Sequence, residues 1–243
     1  MATILIPARW ASTRFPGKPL ALLAGKPLIQ HVWEKCTRSK LASRIIIATD
    51  DMCIAEAAFH FGAEVALTRN NHPSGTDRAA EVAVLLKKER VLVNVQGDEP
   101  FVEPKLIDRL IREFQNDRRL EMATAASPIQ EPSEFLDPNI VKVVVNCAGN
   151  ALYFSRAPIP VDRDREGTAL GLRHHGIYGY TKRFLLQFVT WKPTALEKSE
   201  KLEQLRALEH GTTIRVLKTK HSSPGIDTPE QAEAATRRLK ADR

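Results

Sequence analysis

The sequence predicts an α/β fold in which a mostly parallel sheet is flanked by helices and followed by a smaller antiparallel extension. Three observations carry this. Runs at 4–6 and 91–95 have the length and two-sided hydrophobicity of strands buried on both faces, and 44–50 repeats the pattern of a strand followed by polar residues. Segments of helical period separate them, the alternation that builds a parallel sheet covered by helices. At 140–146 the pattern changes: Val141, Val143 and Val145 alternate with Lys142 and Val144, which points to antiparallel strands outside the parallel core.

The run at 4–6 is the first strand, which Pro7 is expected to stop. The loop after it carries Arg9, Arg14 and Lys18 within ten residues, and Gly17 beside the lysine lets backbone approach a ligand. Three fixed cations there suit a polyphosphate, although a solvated basic loop satisfies the same residues. The spacing is neither a Walker loop nor a dinucleotide fingerprint. Beyond Pro27, Leu28, Val32 and Cys36 recur every four residues and predict a helix against the first strand. After the strand at 44–50, Asp50 and Asp51 suit an N-cap for a helix over about 52–61. A third strand is expected at 64–68, then a polar loop at 69–76 and a helix over about 77–88. Ser74-Gly75-Thr76-Asp77 fits a capping box, which leaves Arg78 unexplained. A helix N-terminus beside Gly75 also offers free N–H groups to a nucleobase or a phosphate.

The strand at 91–95 ends in Gln96-Gly97-Asp98-Glu99-Pro100, at the same sheet edge as Arg9. Ligands of open α/β sheets sit in the crevice at that edge, where strand order reverses. Asp98 there is a Mg²⁺ ligand or a turn cap, and Gln96 has both donor and acceptor for an amide-like base edge. A helix over about 103–116 buries Leu106, Ile107, Leu110, Ile111 and Phe114. A strand is expected at 122–129 and a loop at 128–138. Arg156, Arg163, Arg165, Arg173, His174 and His175 follow in the second half, a set suited to a carboxylate and hydroxyls or to a solvated rim. His174 and His175 are adjacent on a strand, point to opposite faces and cannot share one metal ion. A helix over 196–210 ends at Gly211, and on such a helix Glu203 and Gln204 ordinarily face solvent. A last strand at 213–219 precedes a helix opened by Thr228-Pro229-Glu230-Gln231. Asp227 lies outside that helix and is placed to reach a metal.

The 243 residues suit a single α/β domain, and 43% hydrophobic content supports a large core. A net charge of +7 is spread along the chain without the like-charge runs of a nucleic-acid arm, so a small anionic substrate fits better than a nucleic acid. Cys36, Cys53 and Cys147 show no Cys-x-x-Cys spacing and read as reduced core thiols. No apolar stretch approaches the roughly 18 residues of a membrane span, and no secretion signal opens the chain, so no membrane insertion and a cytoplasmic location are expected.

The pattern Pro-Ala-Arg-x-x-Ser-x-Arg-x-Pro-Gly-Lys-Pro-Leu at 7–20 resembles the N-terminal signature of the bacterial sugar-acid cytidylyltransferases, in particular those acting on 3-deoxy-manno-octulosonate (Kdo). Ser74-Gly75-Thr76-Asp77-Arg78, Asn94-Val95-Gln96-Gly97-Asp98-Glu99-Pro100, Tyr153-Phe154-Ser155-Arg156, His175-Gly176-Ile177-Tyr178-Gly179-Tyr180, Leu202-Glu203-Gln204-Leu205-Arg206 and Asp227-Thr228-Pro229-Glu230 follow in that family's order. The resemblance spans nearly the whole chain. It implies a sheet of the nucleotide-diphospho-sugar transferase kind and transfer of a cytidylyl group from CTP to Kdo with Mg²⁺, for lipopolysaccharide biosynthesis. It places CTP on Ala8, Arg9, Arg14, Lys18, Ser74, Arg78 and Gln96, and Mg²⁺ on Asp98 and Asp227. Arg9 and Lys18 join those two as catalytic residues. The sugar falls to Arg156, Arg163, His174, Tyr178, Glu203 and Gln204. The family usually has one histidine followed by an apolar residue here, so His174 is the carried-over position and His175 reads as structural. A homodimer is implied. Within one domain, 1–120 is expected to serve mainly the nucleotide, 121–220 the sugar and dimerisation, and 221–243 to return to the nucleotide and metal. Rival readings are another acid sugar, a glycosyltransferase, which generally carries an Asp-x-Asp motif absent from the strand end at 96–99, and a non-catalytic nucleotide-binding module.

Overall fold

In the computed structural model, residues 1–10, 15–163, 171–220 and 223–241 are described. Among these the first half runs β1 (Ala2–Ala8), β2 (Leu22–Leu23), β3 (Lys26–Pro27), α1 (Leu28–Cys36), β4 (Arg44–Thr49), α2 (Met52–His60), β5 (Glu64–Leu67), α3 (Gly75–Leu85), β6 (Val91–Asn94) and α4 (Pro104–Asn116). The second half runs β7 (Met122–Pro128), α5 (Pro132–Leu136), β8 (Lys142–Val145), β9 (Ala151–Ser155), β10 (Leu172–Thr181), α6 (Lys182–Phe188), α7 (Ala195–Glu200), α8 (Gln204–Glu209), β11 (Ile214–Lys218) and α9 (Pro229–Ala241).

The main sheet has the order β11-β7-β10-β6-β1-β4-β5. β1 pairs in parallel with β4 and β6, and β4 with β5, whereas β10 is antiparallel to both β6 and β7. β8 and β9 form the expected antiparallel extension, attached to β10 at Leu172 and Arg173. β10 thus joins the extension to the parallel core.

Alternation along β1 separates two cores. Ile4 and Ile6 face α1, α2 and α4, and Leu5 faces α3, α6 and α8. All five apolar residues expected on the face of α4 are buried, each contributing on the order of 1.5–3 kcal/mol of transfer free energy. A third, smaller core holds Leu23, Leu28, Ile226, Ala232 and Ala235 with Phe15, Phe101 and Leu239 around it. It packs α9 against the segments that lead into Lys18, Asp98 and Asp227.

Several boundaries differ from expectation. Pro7 does not end β1, which runs on to Ala8. Leu5 accepts a hydrogen bond from Val95 N–H, so alternate residues face β6, and by Pro7 the partner chain has turned away into Gly97. The missing N–H therefore faces no ladder position, the condition under which a strand tolerates proline. The helix expected over 196–210 is two helices, broken at Lys201, which adopts φ 54°. The helix expected over 77–88 begins at Gly75 and ends at Leu85, and the expected loop at 128–138 contains α5. Among the thiols only Cys36 is a core residue; Cys53 and Cys147 are exposed. Lys142, fully buried, donates to the carbonyls of Asp137, Ile140 and Arg156 at 2.9, 2.6 and 2.7 Å and so closes the base of the extension.

Candidate active site

Every described residue expected at the nucleotide, Ala8, Arg9, Lys18, Ser74, Arg78 and Gln96, lines one crevice of about 280 Å³ with Asp98 and Asp227. The crevice lies where β1, β4 and β6 end. The chain leaves β1 toward β4 on one side and returns in β6 on the other, the switch point at which such sheets bind ligands. Arg14 and Arg165 lie outside the described residues.

Lys18 starts a single 3₁₀ turn, Lys18–Leu20, preceded by Gly17 at φ 68°. A side chain on Gly17 would meet the Trp10 ring at 3.2 Å, so glycine serves both the left-handed backbone and the close approach. Asp98 sits in the turn after β6. There a Cβ on Gly97 would lie 2.8 Å from the Pro7 carbonyl oxygen, closer than contact allows. The Asp98 carbonyl accepts from Ile226 N–H at 3.0 Å, which draws the segment carrying Asp227 onto the same turn. The Lys18 ammonium bridges the two carboxylates, 2.5 Å from Asp98 Oδ2 and 3.1 Å from Asp227 Oδ1. The side chains of residues 129 positions apart therefore converge on one point. Among the described residues no group of three or more His, Cys, Asp or Glu side chains is arranged to hold a metal. Two convergent carboxylates are, however, the usual protein share of a Mg²⁺ site.

Ser74 caps α3, its hydroxyl accepting from the N–H groups of Thr76 and Asp77 at 3.1 and 3.2 Å. Arg78 is 3% exposed and is held by Asp50 at 3.0 Å and by Thr68 Oγ1. It is a strut between the ends of β4 and β5 as well as a wall of the crevice. Of the adjacent acidic pair, Asp51 is the N-cap, accepting from Ile54 N–H at 3.0 Å. A titratable crevice residue also escaped the sequence reading. His72 lines the wall, and its Nε2 is hydrogen-bonded to Glu81 Oε2. Burial raises the Glu81 carboxyl, but the bonds from His72 and from Arg69 N–H outweigh it and leave the group below its usual range. A histidine two residues before a helix cap was the available signal.

A second group borders the crevice through α8. The Glu203 carboxylate accepts from Ser74 Oγ at 2.9 Å and Thr76 Oγ1 at 2.6 Å, with Arg206 3.9 Å away. Burial raises its pKa, opposed by those two hydroxyls and by Arg206. Gln204 is 5% exposed and its Nε2 has no hydrogen-bond partner among the described residues. The solvent-facing expectation for this pair is thus overturned, because the break at Lys201 turns α8 into the protein. Tyr178 stacks on Tyr180 and lies 5.4 Å, ring to ring, from His174. Four positions apart, those two rings share a face, and a bulge between His175 and Tyr178 shortens the strand between them so that they meet. Burial and the neighbouring Glu203 carboxylate raise the Tyr178 pKa well above the usual range. His174 Nε2 is 3.0 Å from Thr124 Oγ1, and burial holds its pKa down to about 3, so the ring is neutral. His175 points the other way, to Ser127 Oγ at 3.0 Å, and is also neutral, its pKa lowered to about 4 by burial and then by Arg173. Glu99, 6% exposed beside Asp98, is pushed up to about 8 by burial and then by the Asp98 charge.

Neither Arg156 nor Arg163 is among the described residues that line the crevice. Arg156 donates to the carbonyls of Glu200 at 2.8 Å and Pro138 at 2.9 Å, which braces the extension. Arg163 is exposed.

The chain matches the cytidylyltransferase family model over residues 3–214. It is 49% identical to a 3-deoxy-manno-octulosonate cytidylyltransferase from Geobacter sulfurreducens over 98% of this chain and 99% of that one. A protein of the same name from Pseudomonas fluorescens is also 49% identical over 98% of both chains. The fold superposes with a TM-score of 0.95 and 39% identity on a CMP:2-keto-3-deoxy-manno-octonic acid synthetase complexed with CTP, covering 100% of this chain and 99% of that one. A 4-diphosphocytidyl-2C-methyl-D-erythritol synthase from Anaerococcus prevotii, 13% identical with a TM-score of 0.66 over 98% of this chain and 96% of that one, shares the fold alone. With a family match over most of its length and near-half identity to relatives from end to end, this chain belongs to the cytidylyltransferase family and is a nucleotidyltransferase.

Proposed function

We propose that the protein transfers the cytidylyl group of CTP to Kdo, giving CMP-Kdo and pyrophosphate for lipopolysaccharide biosynthesis, by Mg²⁺-dependent direct attack of the anomeric hydroxyl on the α-phosphate. The convergence of Lys18, Asp98 and Asp227 on one crevice with Gln96 carries this reading. The end-to-end likeness to the CTP-complexed synthetase supports it.

Asp98 and Asp227 offer an oxygen-only donor set already gathered around a cation, which fits Mg²⁺. When bound there, Mg²⁺ supplies Lewis-acid stabilisation of charge on the phosphates. The chain's own residues do the rest. Arg9 and Lys18 neutralise phosphate oxygens, an effect that grows as charge builds on the leaving pyrophosphate. Gln96 presents a donor and an acceptor to the cytosine edge, and the loop from Ser74 to Arg78 closes over the nucleotide. His174, Tyr178, Glu203 and Gln204 hold the sugar hydroxyls. Arg156 and Arg163 belong to this proposal as contacts for the sugar's carboxylate, with Arg156 leaving its carbonyl partners to make them. In-line placement of two bound substrates removes most of the entropic barrier to their meeting. The displacement is direct and forms no covalent intermediate on the protein.

The division into a nucleotide half, a sugar and dimerisation half and a returning tail is part of the same proposal. So are the cytoplasmic setting and the homodimer, for which Leu136, Leu152 and Val161 supply exposed apolar surface. Among the described residues no helix is long and apolar enough to cross a membrane. Pyrophosphate release with CTP or UTP against Kdo, its 8-amino analogue and a sialic acid tests the reading. Turnover with CTP and Kdo above every other pair is expected, and release from CTP that is indifferent to the sugar overturns it.

A further inference from the structure

The Lys18 ammonium occupies the point on which Asp98 and Asp227 converge. An ion ligated by both carboxylates at about 2.0–2.1 Å has to sit at or beside that point, and two cations packed a few ångströms apart repel one another. The two carboxylates are the fixed partners. Asp98 is held in the turn after β6 against Gly97, and Asp227 is tied to that turn by the bond from Ile226 N–H to the Asp98 carbonyl. The small core of Leu23, Leu28, Ile226, Ala232 and Ala235 packs beneath, and Arg238 lies over the Phe101 ring at 4.0 Å. The lysine is the movable one, a point charge on a four-carbon stem with rotatable donors.

We infer that Lys18 is an exchangeable internal cation: it holds Asp98 and Asp227 together until a divalent metal takes its place, and metal entry turns its ammonium toward the phosphates. This rests on the metal reading above and adds to it an order of events and a coupling. The ammonium competes with free metal, and a metal that arrives with nucleotide phosphates gives the displaced lysine a new partner. Metal alone should therefore bind weakly, and metal with nucleotide much more tightly.

The test is calorimetric titration of Mn²⁺ into the full chain without nucleotide, for the parent and for Lys18→Met, which keeps the stem and removes the charge. The expected result is Mn²⁺ affinity at least 10-fold tighter in Lys18→Met, with the gain abolished by Asp98→Asn in the same background. Equal or weaker affinity in Lys18→Met overturns the exchange, as does a gain that survives Asp98→Asn. A second readout uses the parent protein. Acylation of Lys18, followed by mass spectrometry, should quicken several-fold on adding Mg²⁺ alone and slow again when CTP is also present; an unchanged rate overturns the exchange. Absence of Mn²⁺ binding by the parent even with CTP overturns the metal site itself, and is distinguished from failure of the exchange alone, in which Mn²⁺ and CTP still bind together.

Discussion

Glu203→Ala should weaken CTP binding even in the absence of sugar, although residue 203 lies far along the chain from the phosphate loop. The carboxylate accepts from Ser74 Oγ at 2.9 Å and Thr76 Oγ1 at 2.6 Å, the residues that open α3 over the crevice. Hydrogen bonds to a charged acceptor contribute about 1.5–3 kcal/mol each. Two facts reduce the net effect. Ser74 keeps Asp77 as a partner at 2.7 Å, and burial already opposes the Glu203 charge. About 1–2 kcal/mol should remain, so the CTP dissociation constant should rise by roughly 5- to 30-fold. Calorimetric titration of CTP into parent and variant, with matching circular dichroism, measures this. CTP affinity within twofold of the parent would show that α8 does not position the nucleotide loop. It would favour a sugar half that works apart from the nucleotide half.

Three further outcomes follow from particular contacts. Lys142→Met should lose roughly 2 kcal/mol or more of stability, because it takes the lysine donor from the carbonyls of Ile140 and Arg156 and leaves that of Asp137 only its bond from Ile140 N–H; an unchanged urea midpoint contradicts this. Burial depresses the His175 pKa to about 4, below the unfolded value of about 6.5, so protonation favours the unfolded chain. Its contribution is whole above about pH 6.5 and is lost as pH falls toward 4, by roughly 3 kcal/mol. His175→Gln should therefore lose visibly less stability than the parent between pH 7 and pH 4, and equal losses count against the assignment. If Gln96 and the loop from Ser74 to Arg78 read the base, CTP should be preferred over UTP by about 100-fold, as two mismatched buried hydrogen bonds would produce; equal turnover with UTP removes that role.

The parallel core was legible because its determinants are local. Two-sided apolar runs, helical periodicity and the caps at Asp51 and Ser74 each depend on a few neighbouring residues. The convergence of Asp98 and Asp227 was expected from their places just outside buried strands, but the lysine between the carboxylates was not, since an ion pair across 80 and 209 positions leaves no local trace. Glu203 and Gln204 looked solvent-facing as members of one long helix. The turn at Lys201 that redirects them uses a left-handed conformation unusual for a lysine, so no sequence signal marked it. Lys142 reads as the polar member of an alternating strand, and only the three carbonyls that surround it explain its burial. Pro7 was misjudged for a related reason: whether a strand tolerates proline depends on what lies beside it.

The most direct test of the account is Mg²⁺-dependent pyrophosphate release from CTP and Kdo by the parent chain and by Asp98→Asn. Removing one of two convergent carboxylates should leave the fold intact and lower turnover by about 100-fold or more, since the charge is lost where the transferring group is stabilised. Turnover by Asp98→Asn that keeps both its rate and its Mg²⁺ dependence would contradict the central claim that this crevice is where cytidylyl transfer takes place.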